Sequence, residues 1–369
     1  MNILRKYDDF ILNNASQISS IESSLRTLTY VLPGRFADAE FASEALFAAL
    51  NLIGLYHDSI LVRAAENLEP SKKPIPSPHN RYTRYWTNSS KTYQRASFAL
   101  TFLQYTDVLM EMGIQKKWGK QVKWKLIIMV ELIKAICRII LLYKTQERTI
   151  VNPAIPRREI DPSIFNQENF SSNSRTWIGQ RTGCRRDNLS SVSSIHQNSN
   201  SNNNNYYASS CDINNYLMNK VLYVEDIKNP SELVHRLHGI GKLAELLYIL
   251  RPLIYVLALQ KYGNRSWKPW SFSIFIELST IVLYKYFYKK HMSGGYRWLS
   301  TLEKEEERRR FRFLFFYFLR GPLYEKFTRT KINNFCHSVS NKPILSLFGG
   351  ILRDYQPLWE NVYFYTASS

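Results

Sequence analysis

Apolar residues recur at helical spacing through most of the chain. Residues 41–55 carry apolar side chains three or four positions apart, behind a candidate helix cap at Asp38, which is the period of one buried helix face. Residues 71–90 contain three prolines and are predicted to be a connector. The same periodicity predicts further helices over residues 93–112, 115–143, 231–262, 270–291, 299–320, 323–339 and 345–365. Because strand signals are few, the pattern predicts an all-α fold.

The periodicity stops in the middle of the chain. From about residue 145 the sequence passes through several prolines into a Ser- and Asn-rich tract with four consecutive asparagines at 202–205. Such a composition cannot bury enough apolar surface to offset the entropy lost on ordering. The sequence therefore predicts two helical regions, residues 1–144 and 216–369, joined by a long disordered linker over residues 145–215.

The most apolar stretch of the first region also carries charges along one side. Residues 122–142 have transmembrane length, but Glu131, Lys134 and Arg138, the charged seam, fall with Lys120 and Lys123 in a wedge about 80° wide at ~100° per residue. An unpaired charge at the bilayer centre costs at least ~2.5 kcal/mol, so the seam must pair internally, face another helix or lie at the membrane surface. One membrane-associated helix is predicted here, and a buried helix of a soluble bundle is the alternative.

A second candidate for membrane association covers residues 267–289. At ~1.5 Å per residue it would reach about 34 Å, enough to cross the hydrocarbon core. Aromatic and basic residues at both ends are typical of the membrane–water boundary, and the predicted membrane-interface residues are Trp267, Lys268, Trp270, Tyr286, Tyr288 and Lys289. The alternative is a helix that packs on the charged seam with Glu277 facing a base. The second region is thus also predicted to contain membrane-associated helices.

The charge balance narrows the partners to two classes. The 49 Lys and Arg residues against 30 Asp and Glu give a net charge of +19, and aromatic residues make up 14% of the chain. This excess suits lipid headgroups or the phosphates of nucleic acid. Nucleic-acid binding predicts a Lys/Arg stripe or a reader motif, whereas the Lys and Arg residues here are distributed through apolar helices. A basic helical nucleic-acid-binding protein remains the alternative to a membrane protein.

An acidic-then-basic run spans residues 303–312. Glu305 and Glu306 precede Arg309 and Arg310 by four residues, which on a helix gives favourable pairs worth ~0.2–0.5 kcal/mol each. The run is followed by the aromatic stretch 313–319. It is interpreted as a solvated helix face, or as a basic rim, including Arg308, that meets anionic lipid.

Sequence patterns of catalysis and metal binding are missing. The four cysteines lie far apart, and His235 and His238 have no cysteine or cluster of acidic residues near them in the sequence. Residues 239–244 imitate a dinucleotide fingerprint, but a helical segment is predicted before them where that fold needs a strand. No nucleophile elbow, phosphate-binding loop or metalloprotease motif occurs. We expect no enzyme, no catalytic residues, no cofactor, no metal and no small-molecule substrate.

A set of short strings is distinctive in its order and spacing. They are GRFAD at 34–38, MEMG at 110–113, WG at 118–119, ELIKA at 131–135, GNRSWKPW at 263–270, RRR at 308–310, LRGPLY at 319–324 and YFY at 363–365. Together they resemble the peroxin-16 family of peroxisomal membrane biogenesis proteins. The resemblance covers both helical regions and fails across the predicted linker.

The resemblance implies a non-enzymatic membrane factor that acts early in peroxisome formation. It would sit in membrane lipid at the peroxisome or the endoplasmic reticulum and recruit peroxin-3 and, with the shuttle protein peroxin-19, other peroxisomal membrane proteins. Nucleic acid is not among the implied partners. Within the resembling strings, the candidate partner-binding residues are Arg35, Phe36, Asp38, Arg308, Arg309 and Arg310; a structural role in capping and clamping helices is the alternative for Arg35 and Asp38.

Overall fold

The computed structural model confirms the all-α prediction. It describes residues 2–31, 39–66, 76–159, 176–178, 185–187, 228–263, 266–291 and 299–339, and a few isolated positions between 346 and 360. Ten helices are numbered here within those ranges. They are α1 (Asn2–Asn13), α2 (Ala15–Val31), α3 (Ala39–Glu66), α4 (Pro78–Ser89), α5 (Lys91–Trp118), α6 (Lys120–Lys144), α7 (Ile240–Tyr262), α8 (Trp267–His291), α9 (Thr301–Phe313) and α10 (Arg329–Val339).

Shorter elements connect these helices. 3-10 helices cover Pro230–Leu233 and Leu314–Leu319, a helical turn covers Gly321–Leu323, and a π-helical segment covers Tyr324–Thr328. The strands β1 (Thr176–Ile178) and β2 (Arg185–Asp187) pair antiparallel, with Trp177 opposite Arg186.

Several predicted boundaries are wrong, among them the break predicted between residues 112 and 115, since α5 continues through Gly113 to Trp118. Residues 78–89 of the predicted connector form α4, because Pro78 starts a helix instead of breaking one, and the Ser77 hydroxyl oxygen accepts the Asn80 N–H at 3.2 Å. The helix predicted from residue 231 begins only at Ile240. Pro252 lies inside that helix. Residues 34–38, and most of the helix predicted at 345–365, lie outside the described residues.

The chain divides into two compact units. The first contains residues 1–21, 57–75 and 158–228, and its buried apolar side chains are Ile11, Ala15, Ile60 and Leu61. Within it, the Tyr7 hydroxyl hydrogen-bonds the buried His57 ring at 3.0 Å. The second unit contains residues 22–56, 76–157 and 229–369.

The second unit is built around four helices packed in sequence. α5 packs against α6, α6 against α7, and α7 against α8. Ile127 of α6 packs with Tyr255, Val256 and Leu259 of α7. Gly241 of α7 lies so close to α8 that an added Cβ would stand 3.0 Å from the Phe287 ring, which would then have to move by a few tenths of an ångström.

The packed part of this unit continues past α6. Val151 and Ala154 are buried with Tyr82, Trp86 and other residues of one core cluster. The side chain of Asn80 accepts the backbone N–H of Arg157 and donates to its carbonyl, both at 2.7 Å. These residues fall in the first part of the predicted linker. Apart from the two short strands, residues 160–227 lie outside the described residues.

Candidate functional site

Charged side chains of α6 lie in the interior of the second unit. Lys134 is fully buried, and its Nζ is 2.7 Å from Asp107 Oδ2 on α5 and 3.1 Å from Glu131 Oε1 on its own helix. One turn from the start of α6, Lys123 Nζ is 2.6 Å from Glu111 Oε1 on α5. Two of the routes considered for the charged seam, pairing along its own helix and pairing with a neighbouring helix, are therefore both used. Buried charges persist in proteins when they are paired in this way.

Glu111 of α5 is a buried carboxylate with a raised pKa. Only 2% of the residue is exposed. Burial raises the pKa of Glu111 to about 7, against the opposing effect of Lys123. The third seam residue, Arg138, is also buried and lines a small cavity together with Glu306 and Arg309 of α9.

The polar face of α8 is buried in the same manner. Ser273, Glu277 and Thr280 are each at most 2% exposed. Glu277 forms an ion pair with Arg251 of α7. Glu277 does face a base, as the alternative interpretation of this helix supposed, but the base is on α7 and not on the charged seam.

Arg310 of α9 is at the centre of the largest buried ionic cluster that we find in the described residues. Its Nη1 and Nη2 donate to the two carboxylate oxygens of Glu245 on α7 at 2.9 and 3.0 Å, and its Nε donates to Glu306 at 2.9 Å. The guanidinium also lies 3.9 Å from the centre of the Tyr248 ring. Burial would raise the pKa of Glu306, but Arg310 and Arg309 outweigh it and hold that pKa below its usual value.

The three arginines predicted to bind a partner thus differ in their surroundings. Arg310 is buried, and Arg309 is half-buried and donates to Glu306 at 2.6 and 2.9 Å. Arg308 is exposed. The other candidate partner-binding residues, Arg35, Phe36 and Asp38, lie outside the described residues.

The outer faces of α6 and α8 are apolar. On α8, Phe275 is 69% exposed and Val282 is 64% exposed. Both faces repeat at three- and four-residue spacing: Met129, Leu132, Ile136, Ile139 and Tyr143 on α6, and Phe272, Phe275, Leu278, Val282 and Tyr286 on α8. Helices with ionised groups inside and apolar groups outside have the reverse of the usual pattern for water. Polar groups of helices in lipid face the bundle interior in this way.

Two helices of the described residues are long and apolar enough to cross a membrane by length and composition, and they are not α6 and α8. They are Phe41–Ala64 of α3 and Ile240–Tyr262 of α7. Neither coincides with residues 122–142 or 267–289, whose charged and polar residues lower their mean hydropathy.

Aromatic and lysine side chains collect where α7 ends and α8 begins. Trp267 is 40% exposed and lies edge-on to Trp270, with the ring centres 5.6 Å apart. Lys326 Nζ lies 5.6 Å from the Trp267 ring centre, and Lys268 Nζ lies 5.0 Å from that of Tyr262. The structure therefore brings Trp267, Trp270 and Lys268 together at the start of α8, and their position at a membrane interface stays a prediction.

The predicted interface residues are not all equally exposed. Trp270 is half-buried and its Nε1 donates to the Tyr317 carbonyl at 3.1 Å. At the other end of α8, Tyr286 and Lys289 are exposed, whereas Tyr288 is 6% exposed and stacks on Tyr284 inside the unit. Tyr288 is thus held by protein contacts.

His235, one of the two candidate histidines, has a structural partner that the sequence did not reveal. His235 Nδ1 lies 2.8 Å from Glu303 Oε2, and the His235 backbone N–H donates to the other oxygen of Glu303. Glu303 also completes a capping box with Ser300 at the start of α9. Across the described ranges, no group of three or more His, Cys, Asp or Glu side chains is placed to hold a metal ion.

Sequence reasoning missed the α7 residues that pair with these buried charges. Glu245 and Arg251 of α7, which bind Arg310 and Glu277, were not candidate residues. Glu245 is 65 positions from Arg310, and no spacing pattern can connect charges on different helices at that separation.

Comparisons with known proteins give the same family as the short sequence strings. A family model described as "Peroxisomal membrane protein (Pex16)" matches residues 5–361. Peroxisome biogenesis protein 16 of Arabidopsis thaliana is 26% identical over 90% of both chains, and peroxisomal membrane protein PEX16 of Schizosaccharomyces pombe is 21% identical over 94% of both. Peroxisome biogenesis factor 16 of Dictyostelium discoideum is 32% identical over 34% of this chain and 31% of its own length. No solved structure matches.

Proposed function

The chain belongs to the Pex16 family of peroxisomal membrane proteins, and we propose that it recruits peroxin-3 and, with peroxin-19, further membrane proteins to the peroxisomal or endoplasmic reticulum membrane. The family is one of peroxisome biogenesis factors and not a known enzyme family. We propose a binding role without catalysis.

The observation that supports this proposal best is the reversed polarity of α6 and α8. Their ionised groups pair inside the second unit, and their apolar groups are exposed. An exposed apolar face of this length is unfavourable in water and marks a lipid or protein interaction surface. A factor that must hold other proteins at a membrane needs such an attachment. The nucleic-acid alternative has no comparable support, since Lys134, Arg251 and Arg310 are paired inside the protein.

The attachment is proposed to have aromatic and basic anchors at both ends of α8. Trp267, Lys268 and Trp270 would lie at one membrane surface, and Tyr286 and Lys289 at the other. Arg35, Phe36, Asp38 and the exposed Arg308 are proposed as the positions to replace first in a search for the partner surface. Arg309 and Arg310 belong to this proposal less directly, because their guanidinium groups already bind Glu306 and Glu245.

The recruitment proposal can be tested with purified components. The full chain is reconstituted into vesicles, and the binding of soluble peroxin-3 to those vesicles is compared with binding to protein-free vesicles. We expect peroxin-3 to float with the protein-containing vesicles only, and Arg308→Glu to weaken this binding while Lys331→Glu, at an exposed lysine of α10, does not. Equal binding of peroxin-3 to both kinds of vesicle would rule out direct recruitment.

A further inference from the structure

A large cavity with many charged side chains in its wall opens beside α9 in the second unit. Its volume is about 960 Å³, at the upper end of the ~300–1,000 Å³ typical of small-molecule sites. Its wall is formed by α4, by the segment after α6, by α7 and α8, and by most of α9. We propose that this cavity binds a phosphate ester that carries an ammonium or hydroxyl group, the chemistry of a phospholipid headgroup.

The cations that line the cavity fall into two groups. Arg309 and Arg310 are neutralised by Glu306 and Glu245, so they form a closed part of the wall. A second group of cations in the wall has no ion pair with any described residue: Arg157, Lys285, Arg308 and Arg312. The Arg157 guanidinium donates to the Asn152 carbonyl at 3.1 Å, which leaves its charge uncompensated.

Unpaired arginines gathered around one cavity favour a phosphate ligand. The planar guanidinium group donates two parallel hydrogen bonds to a phosphate, and such charge-assisted bonds are about twice as strong as neutral ones. Arg308 and Arg312 are four residues apart on α9 and therefore lie on one side of that helix. They can contact the same phosphate, and Lys285 of α8 adds a further positive charge to the cavity wall.

The wall also contains one carboxylate oxygen that lacks a donor. Glu305 and Glu307 line the cavity, and the Oε2 atom of Glu307 is buried without a hydrogen-bond partner. A buried acceptor left unpaired costs free energy, and an ammonium or hydroxyl group of the ligand would satisfy it. Ile281, Leu302 and Phe311 give the same cavity an apolar portion, which suits the glycerol and first acyl carbons of a lipid.

The ligand could be a membrane lipid or a soluble phosphate ester, and calorimetry distinguishes these sources. Full-length protein in a maltoside detergent is titrated with short-chain phosphatidylethanolamine, with glycerophosphoethanolamine and with inorganic phosphate. Preferential binding of the short-chain lipid supports the proposal with lipid as the source. Equal binding of the two esters supports it with a soluble source. Inorganic phosphate binding as tightly as either ester, or no binding of any probe, would overturn it.

Matched variants locate the binding in the cavity. Arg308→Gln with Arg312→Gln should weaken ester binding at least about tenfold, the equivalent of one lost ionic hydrogen bond. Lys116→Gln with Lys331→Gln, at exposed lysines of α5 and α10, should not change it. Lys285→Gln provides a second test if the double arginine variant does not fold. Equal losses in the cavity and control variants would refute the assignment. Because peroxin-3 is absent from this assay, its outcome is separate from that of the recruitment test.

Discussion

The helices α8 and α9 bury the same chemistry and expose opposite chemistry. Inside, Glu277 of α8 binds Arg251, and Arg310 of α9 binds Glu245. Outside, α8 exposes Phe275 and Val282, whereas α9 exposes Glu305, Arg308 and Arg312. The difference shows that the paired interior does not reveal the medium around a helix. The exposed face differs, and we propose lipid around α8 and water or a polar ligand around α9.

The largest expected effect is the loss of unfolding free energy when a buried cation of α9 is removed. Arg310→Ala leaves the buried Glu245 and Glu306 without their shared cation, which typically costs ~3–5 kcal/mol. Arg308→Ala on the same helix removes an exposed side chain without an ion-pair partner among the described residues, and it should change the free energy of unfolding by less than ~0.5 kcal/mol. Denaturant unfolding in detergent micelles measures both. Similar stability of the two variants would contradict the proposed contrast.

The next effect concerns the exposed half. Phe275→Lys with Val282→Lys places two charges on the outer face of α8, where a charge costs ~2.5–3.5 kcal/mol at the bilayer centre and less toward the surface. We expect the variant to leave the membrane pellet on alkaline carbonate extraction. The volume-matched pair Phe275→Leu and Val282→Leu should stay in the pellet, and so should Glu305→Lys on α9. Retention of the double lysine variant would show that this face does not contact lipid.

A smaller effect on membrane partition is expected in the first turn of α8, where Trp267 and Trp270 lie. Trp267→Ala with Trp270→Ala removes two aromatic side chains, and burying a large apolar side chain is worth ~1.5–3 kcal/mol. Because Trp270 also donates to the Tyr317 carbonyl, thermal unfolding must be measured beside membrane partition. A loss of stability with unchanged partition would assign the pair to packing and remove it from the membrane boundary.

The smallest expected effect is a pH dependence on α5. The raised pKa of Glu111, about 7, means that the folded state holds a proton that the unfolded state releases near pH 4.5. Stability from this group is therefore present below pH 4.5 and is lost as the pH rises to 7, by roughly 1–3 kcal/mol. Glu111→Gln should flatten this slope. The lowered pKa of Glu306 predicts the opposite sign, with stability lost as the pH falls below the usual carboxylate range, so Glu306→Gln serves as the comparison.

The sequence revealed faces but not their partners. Periodicity was enough to place Glu131, Lys134 and Arg138 on one side of α6, because helical geometry is local. Asp107, which binds Lys134, lies 27 positions away on another helix, and only tertiary packing brings the two together. For the same reason, the pairing of Arg310 with Glu245 could not be predicted from the sequence. The missed helix α4 has a different cause, since a proline usually ends a helix but Pro78 here occupies the first turn.

The close packing of Gly241 against Phe287 restricts which sequences can adopt this fold. An alanine there would press on the Phe287 ring, so substitution to a larger residue requires a smaller side chain at position 287 or a wider gap between the two helices. In relatives of this protein, positions 241 and 287 should therefore change together across evolution. Pairs that break this correlation would identify members whose helical hairpin has a different spacing.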